Sequence, residues 1–148
     1  MTSEPLADRG PTSGRPSCLI REESVRDFDA VRRVHTAAFG ADEPVPDLVE
    51  ALRTATAALA PMSFVAVVQD QVVGHVLLSA VRLDARPRLV NVLCLSPLGV
   101  IPGMQHQGIG SRLVEHAIQA ADAVRAPLLF VEGSPHFYGA RGFAKATA

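Results

Sequence analysis

Cysteine, tyrosine and lysine are all scarce in this chain of 148 residues, and the scarcity of cysteine narrows what the protein does. Cys18 and Cys94 are the two cysteines, far apart and without a CxxC pair or the Cys/His spacing of a metal site. That excludes a disulfide framework and a cysteine-based zinc site; two buried thiols in a reducing cytosol are expected. Lys145 is the single lysine among many arginines, a bias that reads as coding preference. A net charge of −1 leaves no bulk attraction to nucleic acid or to an anionic membrane. No stretch reaches the ~18–20 uninterrupted apolar residues of a membrane helix. Residues 55–68 come closest, and Pro61 and Ser63 interrupt them. The first residues carry Glu4 and Asp8 with no apolar core, unlike a secretory signal. A cytoplasmic protein with no metal, no nucleic acid and no membrane partner is expected.

What is present describes one globular domain. Hydrophobic residues make up 48% and charged residues 20%, proportions of a folded chain of single-domain length. Residues 1–17, rich in Pro, Gly, Ser and Thr, read as a disordered tail ahead of a domain at 18–148. CLIREE (18–23) is a first strand. Ser24 with Asp27 imitates a capping box, and Val25, Phe28, Val31, His35 and Ala38 recur at helical spacing up to Gly40. A second helix is expected from Asp47 to Leu59, with Leu48, Leu52, Ala55 and Leu59 inward. The period then changes to that of strands: 64–69, a turn at Asp70-Gln71, and 72–83 form a hairpin. DARPR (84–88) is a loop, and 89–102 is a strand too apolar to have a wet face. A third helix runs to about Val124 with Ile109, Leu113, Ala117, Ile118, Ala121 and Val124 on its core side. PLLFVE (127–132) is a fifth strand and 134–143 a short helix. The order β-α-α-β-β-β-α-β-α implies an α/β fold, a mixed sheet with helices on both faces.

Chemistry is concentrated where the fourth strand gives way to the third helix, LSPLGVIPGMQHQGIGSRLVEHAI (95–118). Gly108 and Gly110 let backbone N–H groups turn into one cavity, and the helix that starts there adds its unpaired N–H groups and positive dipole end. Phosphate or pyrophosphate is the natural guest; a tight structural connection is the plain alternative. A Walker loop is excluded because no lysine follows the glycines, and a dinucleotide fingerprint because Leu113 occupies the third glycine position.

The spacing that fits is Gln105-x-x-Gly108-x-Gly110, and with it the chain resembles the GNAT family of acetyl-CoA-dependent N-acetyltransferases, most closely its YhbS-like branch. LGVIP before the turn is similar to the family's L-x-V-x-P strand end. EGSPHFYGARGF is similar to that branch's closing segment, with Tyr138 four residues before Gly142-Phe143. The resemblance covers about residues 18–145 and implies the GNAT, or acyl-CoA N-acyltransferase, fold.

It further implies acetyl transfer from acetyl-CoA to a primary amine by direct attack in a ternary complex. Strand-four groups around Leu98, Gly99 and Val100 would pair with the pantetheine arm, with a bulge expected at Gly99. The turn from Gln105 through His106, Gln107, Gly108, Ile109 and Gly110 to Ser111 would hold the pyrophosphate. An N–H of Leu98 or Val100 would stabilise the oxyanion. Tyr138 matches the residue that protonates the leaving thiolate; a phenol of pKa about 10 is adequate for a thiol of about 8.5. For the base that deprotonates the amine, Glu132 is the first candidate, with Ser134 and His75 as others. The acceptor is a small molecule or a protein amine. A non-catalytic acyl-CoA-binding module is the alternative.

Family members continue beyond the Gly-Phe pair with further strands, whereas five residues follow Phe143 here. An open strand-five edge is therefore expected, closed by a second copy in a homodimer or else lowering stability. Other residues have plainer readings. His35 and His116 read as surface or boundary positions on helices, His75 as a satisfied sheet histidine, Cys94 as core. Gln105 either reaches phosphate or caps its turn, and Arg112 points to solvent.

Overall fold

The computed structural model describes residues 17–54, 60–85, 88–131 and 135–144. Its elements run β1 (Cys18–Glu22), α1 (Phe28–Phe39), α2 (Val45–Thr54), β2 (Met62–Val68), β3 (Gln71–Ala85), β4 (Arg88–Val100), α3 (Ile109–Ala123), β5 (Leu129–Val131) and α4 (Pro135–Gly139). The five strands form one sheet in sequence order. β1 to β4 are antiparallel neighbours, and β4 pairs with β5 in parallel. The expected mixed sheet and element order are observed. Among the described residues β5 has a strand neighbour on one side alone.

Helices cover both faces. Leu113, Val114, Ala117 and Ala121 of α3 are buried on Val76, Leu78, Leu93 and Leu95 of the sheet. On the other face α1 and α2 bring Val31 and Val49 onto Val65. Val124, expected inward, lies just past the end of α3 and is 44% exposed. Cys18 and Cys94 are half-buried instead of buried.

The helix phases differ from the simple stripe. Val25–Asp27 is a 3-10 turn, so α1 starts at Phe28 and buries Val31, Val34 and His35. The tighter turn rotates Val25 out to 77% exposure and leaves Phe28 at the margin. α2 begins at Val45, earlier than expected, because Pro46 sits in the first turn, where its missing N–H costs nothing. That puts Pro46 and Val49 inward and Leu48 outward. Ala55 and Leu59 lie outside the described residues. The hairpin turn is Gln69-Asp70, one residue earlier than expected, both residues at positive φ, as the twist-matched two-residue turn requires.

Asp27 anchors this corner. Its carboxylate accepts from Arg21 at 2.7 and 3.0 Å, from Ser24 N–H at 2.7 Å and from the Ser24 hydroxyl at 3.2 Å. Arg21 is the main reason its pKa falls from 3.8 to about 2. A depressed carboxylate stabilises the fold above its unfolded pKa and loses that contribution as pH falls through the folded value. Asp27→Asn is therefore expected to cost about 1 kcal/mol at pH 7, a modest figure because Arg21 is solvent-screened. The gap to wild type should close between pH 4 and pH 2 in melts; a gap unchanged at pH 2 would contradict the pairing.

Candidate active site

The mouth of α3 is built from a short run of special backbone. Pro102–Met104 form a 3-10 turn that ends β4. His106 and Gly108 then take left-handed conformations, φ 64° and 86°. Gly108 is the N-cap of α3 and offers no side-chain cap. The first turn of a helix has no earlier carbonyls to bind, so the N–H groups of Ile109, Gly110 and Ser111 lack helical partners. The helical ladder begins with Arg112 N–H to Gly108 C=O at 3.1 Å. A cavity of about 300 Å³ lies at this mouth. Leu98 and Val100 of β4 form one wall; Gln105, His106, Gly108, Gly110 and Ser111 form the turn side. Phe137 and Arg141 close it.

Strand β4 presents its backbone to the same place through a bulge. Val76 pairs with Leu98 and Leu78 with Leu95, so Ser96 and Pro97 stand opposite Leu77 alone. Before this point the N–H of Leu93 reaches Leu128 C=O beside β5. Strand periodicity would have kept odd residues facing that edge. The extra residue reverses the parity. Ile101 N–H accordingly turns to Val73 C=O of β3 at 2.9 Å, and Leu98 and Val100 face the edge beyond the last β4–β5 pair, Leu95–Val131.

The bulge is thus at Ser96-Pro97 and not at Gly99, which pairs regularly with His75. Proline suits the bulge because it has no N–H to give to a ladder. Gly99 is glycine for another reason: a Cβ there would stand 2.8 Å from His35 Nδ1. It faces α1, away from the cavity. Ile109 is buried in the core, and Gln107 is exposed and reaches Gly103 C=O at 3.5 Å. The remaining seven expected cofactor contacts surround the one cavity.

Gln105 spends its amide on Val100 C=O at 2.9 Å, bracing the turn against the strand. Arg112 reaches neither solvent alone nor the cavity but donates to Cys18 C=O at 2.5 Å. Tyr138 is 7% exposed and packs between Phe137 and Phe143. Burial is the main cause that raises its pKa above 10.0; Arg141 opposes it and Cys94 adds to it. Glu132 and Ser134 lie outside the described residues. His75 is fully buried with both ring nitrogens bonded, to His35 and to Ser63. His35, expected at the surface, has no exposed area, because the helix stripe through Val31 carries it against β3.

Arg141 is the residue that sequence reasoning missed. Its Nε and Nη2 donate to Ser111 Oγ at 2.9 and 2.5 Å, and Nη1 donates to Phe137 C=O at 2.6 Å. The guanidinium stacks on the Phe137 ring at 3.6 Å. Among the described residues these partners are a hydroxyl, a carbonyl and a ring, none of them an acid, so the guanidinium brings positive charge to the helix mouth. The arginine of the GARGF turn was the available signal; only folding shows that it meets Ser111, 30 residues earlier. Among the described residues no group of three or more His, Cys, Asp or Glu is placed to hold a metal. No described helix is long and apolar enough to cross a membrane.

Comparison with known proteins gives this geometry its context. An uncharacterized N-acetyltransferase of Escherichia coli (strain K12), YjhQ, is 31% identical over 117 residues, 79% of this chain and 64% of that protein. The chain thus spans 64% of the length of this curated relative. A GNAT family acetyltransferase from Brucella melitensis, solved in complex with acetyl-CoA, is 29% identical with a TM-score of 0.74, covering 87% of this chain and 84% of the other. The YhbS N-acetyltransferase from Escherichia coli, solved in complex with CoA, shares the fold at 24% identity and a TM-score of 0.74, covering 87% of this chain and 69% of the other. The family model for the acetyltransferase (GNAT) family matches residues 28–146, and the chain belongs to that family.

Proposed function

We propose that the protein transfers acetyl from acetyl-CoA to a primary amine by direct attack within a ternary complex. The observation that carries this reading is the junction of two binding elements in one cavity: free helix N–H groups beside Arg141, and a strand edge turned outward by the bulge. The first suits a diphosphate, by charge and by hydrogen bonds without intervening side chains. The second suits the amide-bearing pantetheine arm, which pairs with Leu98 and Val100 as another strand would. The Brucella melitensis relative, solved with acetyl-CoA, supports the choice of carrier. In the reaction the amine attacks the thioester carbonyl, and the Leu98 N–H stabilises the oxyanion. The carbon–sulfur bond then breaks, and Tyr138 gives the thiolate its proton.

Differential melting with acetyl-CoA, CoA and NAD tests the reading, followed by thiol release with a panel of amines. Acetyl-CoA at one hundred times its Kd should stabilise the protein by about 2.7 kcal/mol. NAD should not, and at least one amine should liberate CoA. Protection without thiol release would favour an acyl-CoA-binding module instead. No protection at all would overturn the assignment.

A further inference from the structure

The sheet face opposite α3 holds a buried polar chain that the transfer site leaves unused. His35 Nε2 of α1 lies 2.8 Å from His75 Nδ1 of β3. His75 Nε2 lies 2.6 Å from Ser63 Oγ of β2, and Ser63 Oγ donates to Glu23 Oε1 at 2.7 Å. Arg53 of α2 grips the same carboxylate through Nε at 3.2 Å and through Nη2.

Counting protons fixes the direction of every bond. Glu23, paired with Arg53, is a carboxylate and accepts only, so the single Ser63 O–H goes to it. The Ser63 oxygen must then accept Nε2–H of His75. That makes His75 Nδ1 an acceptor, filled by Nε2–H of His35. A neutral imidazole has one N–H, so His35 Nδ1 carries a bare lone pair. It is the one buried side-chain polar atom left without a partner among the described residues. Such orphans are uncommon and call for an explanation. This one faces strand β4 at the site where Gly99 omits its Cβ, between the two residues that turn toward the carrier.

Acetyl transfer to an ammonium leaves one proton over. Of the two N–H protons lost by the ammonium, one makes good the proton that reaches the CoA thiol and the other must leave the site. Resting on the transfer reading above, we propose that the chain His35–His75–Ser63–Glu23 carries that other proton away from β4, with His35 Nδ1 as its entrance. An ammonium has no lone pair, so this proton must go first: Nδ1 takes it through water, the neutral amine then attacks, and the proton the nitrogen sheds after attack restores the one that Tyr138 gives the thiolate. His35 then passes Nε2–H to His75 Nδ1, His75 passes Nε2–H to Ser63 Oγ, and Ser63 passes its own proton to Glu23. Each hop forms one bond to hydrogen and breaks one, and the charge ends on a neutralised carboxylate. Glu23, with Arg53, lines a cleft of about 890 Å³ from which the proton leaves.

Charged groups face His35 from several elements. Arg53 and Glu50 approach from α2 and Arg32 from its own helix, His75 faces it from β3, and β4 offers Gly99. Burial first, and Arg53 second, lower the His35 pKa to about 4, so Nδ1 keeps its lone pair at neutral pH. His75, buried more deeply still, is also held neutral.

The test joins nitrogen NMR of the free protein to the kinetics of Ser63→Ala and Ser63→Thr. Wild-type spectra should show both histidines protonated on Nε2 and bare on Nδ1. Ser63→Ala should bind acetyl-CoA as wild type does yet lose kcat about a hundredfold at pH 7, the lower end of general-base effects. The deficit should shrink as pH rises toward the free amine's pKa of about 10.4. Ser63→Thr should recover most of the loss. His35 protonated on Nδ1, or Ser63→Ala turning over like wild type at every pH, would overturn the chain while leaving acetyl transfer intact. A wild type that binds acetyl-CoA but releases no thiol with any amine would overturn the transfer reading itself, and with it the proton to be carried.

Discussion

Gly108→Val is expected to weaken acetyl-CoA binding by at least about a hundredfold, the equivalent of ~2.7 kcal/mol, while leaving a folded protein. Two effects combine at this position. The residue sits at φ 86°, where an L side chain costs about 1–2 kcal/mol and a β-branched one is a genuine outlier. A Cβ there meets no atom within 4 Å, so the fold does not resist the side chain sterically. The open space it enters belongs to the cavity that Gly108 lines. Valine methyls therefore displace the diphosphate from the N–H groups it needs. Gly108→Asn separates the two contributions, since asparagine tolerates the left-handed region but still fills the space. Isothermal titration should find both variants deficient, with valine alone showing the larger loss in melting temperature. Wild-type affinity in Gly108→Asn would mean that the cradle lies elsewhere.

The turn at the mouth of α3 is legible in the sequence because its signal is local. Gln105, Gly108 and Gly110 sit within one turn of chain between an apolar strand and an amphipathic helix, and the strand order followed from the change of period after Pro61. What escaped depends on contacts between distant segments. The bulge was expected at Gly99, since glycine is the usual local sign; the pairing against Leu77 puts it at Ser96-Pro97. Gly99 is small because a histidine 64 positions earlier presses on it, a requirement that no local pattern records. His35 stood on the apolar stripe with Val31, which pointed inward, yet its polarity argued for a boundary. Only the partner at His75 makes full burial tolerable. Arg141 shows the same limit: its charge is visible in the sequence, and its proximity to Ser111 is not.

Tyr138→Phe is expected to lower kcat about a hundredfold, at the lower end of what a positioned acid contributes, with acetyl-CoA affinity unchanged. The substitution removes one oxygen and keeps the ring that packs against Phe137 and Phe143, so the core should survive it. Because burial raises the phenol above 10.0, Tyr138 holds its proton throughout the neutral range and is available as an acid there. The sign follows directly: an acid works below its pKa, so any alkaline decline owed to Tyr138 comes later than that of an ordinary phenol. The loss in the phenylalanine variant should accordingly be constant from pH 6 to pH 9. An interaction made only in the transition state lowers kcat and kcat/KM together, and that pattern is the one expected. The contrast with Ser63→Ala is diagnostic, because a deficit on the proton-accepting side shrinks as pH rises and one on the proton-donating side does not. Turnover equal to wild type in Tyr138→Phe would reduce this tyrosine to a packing residue and require another donor for the departing thiolate.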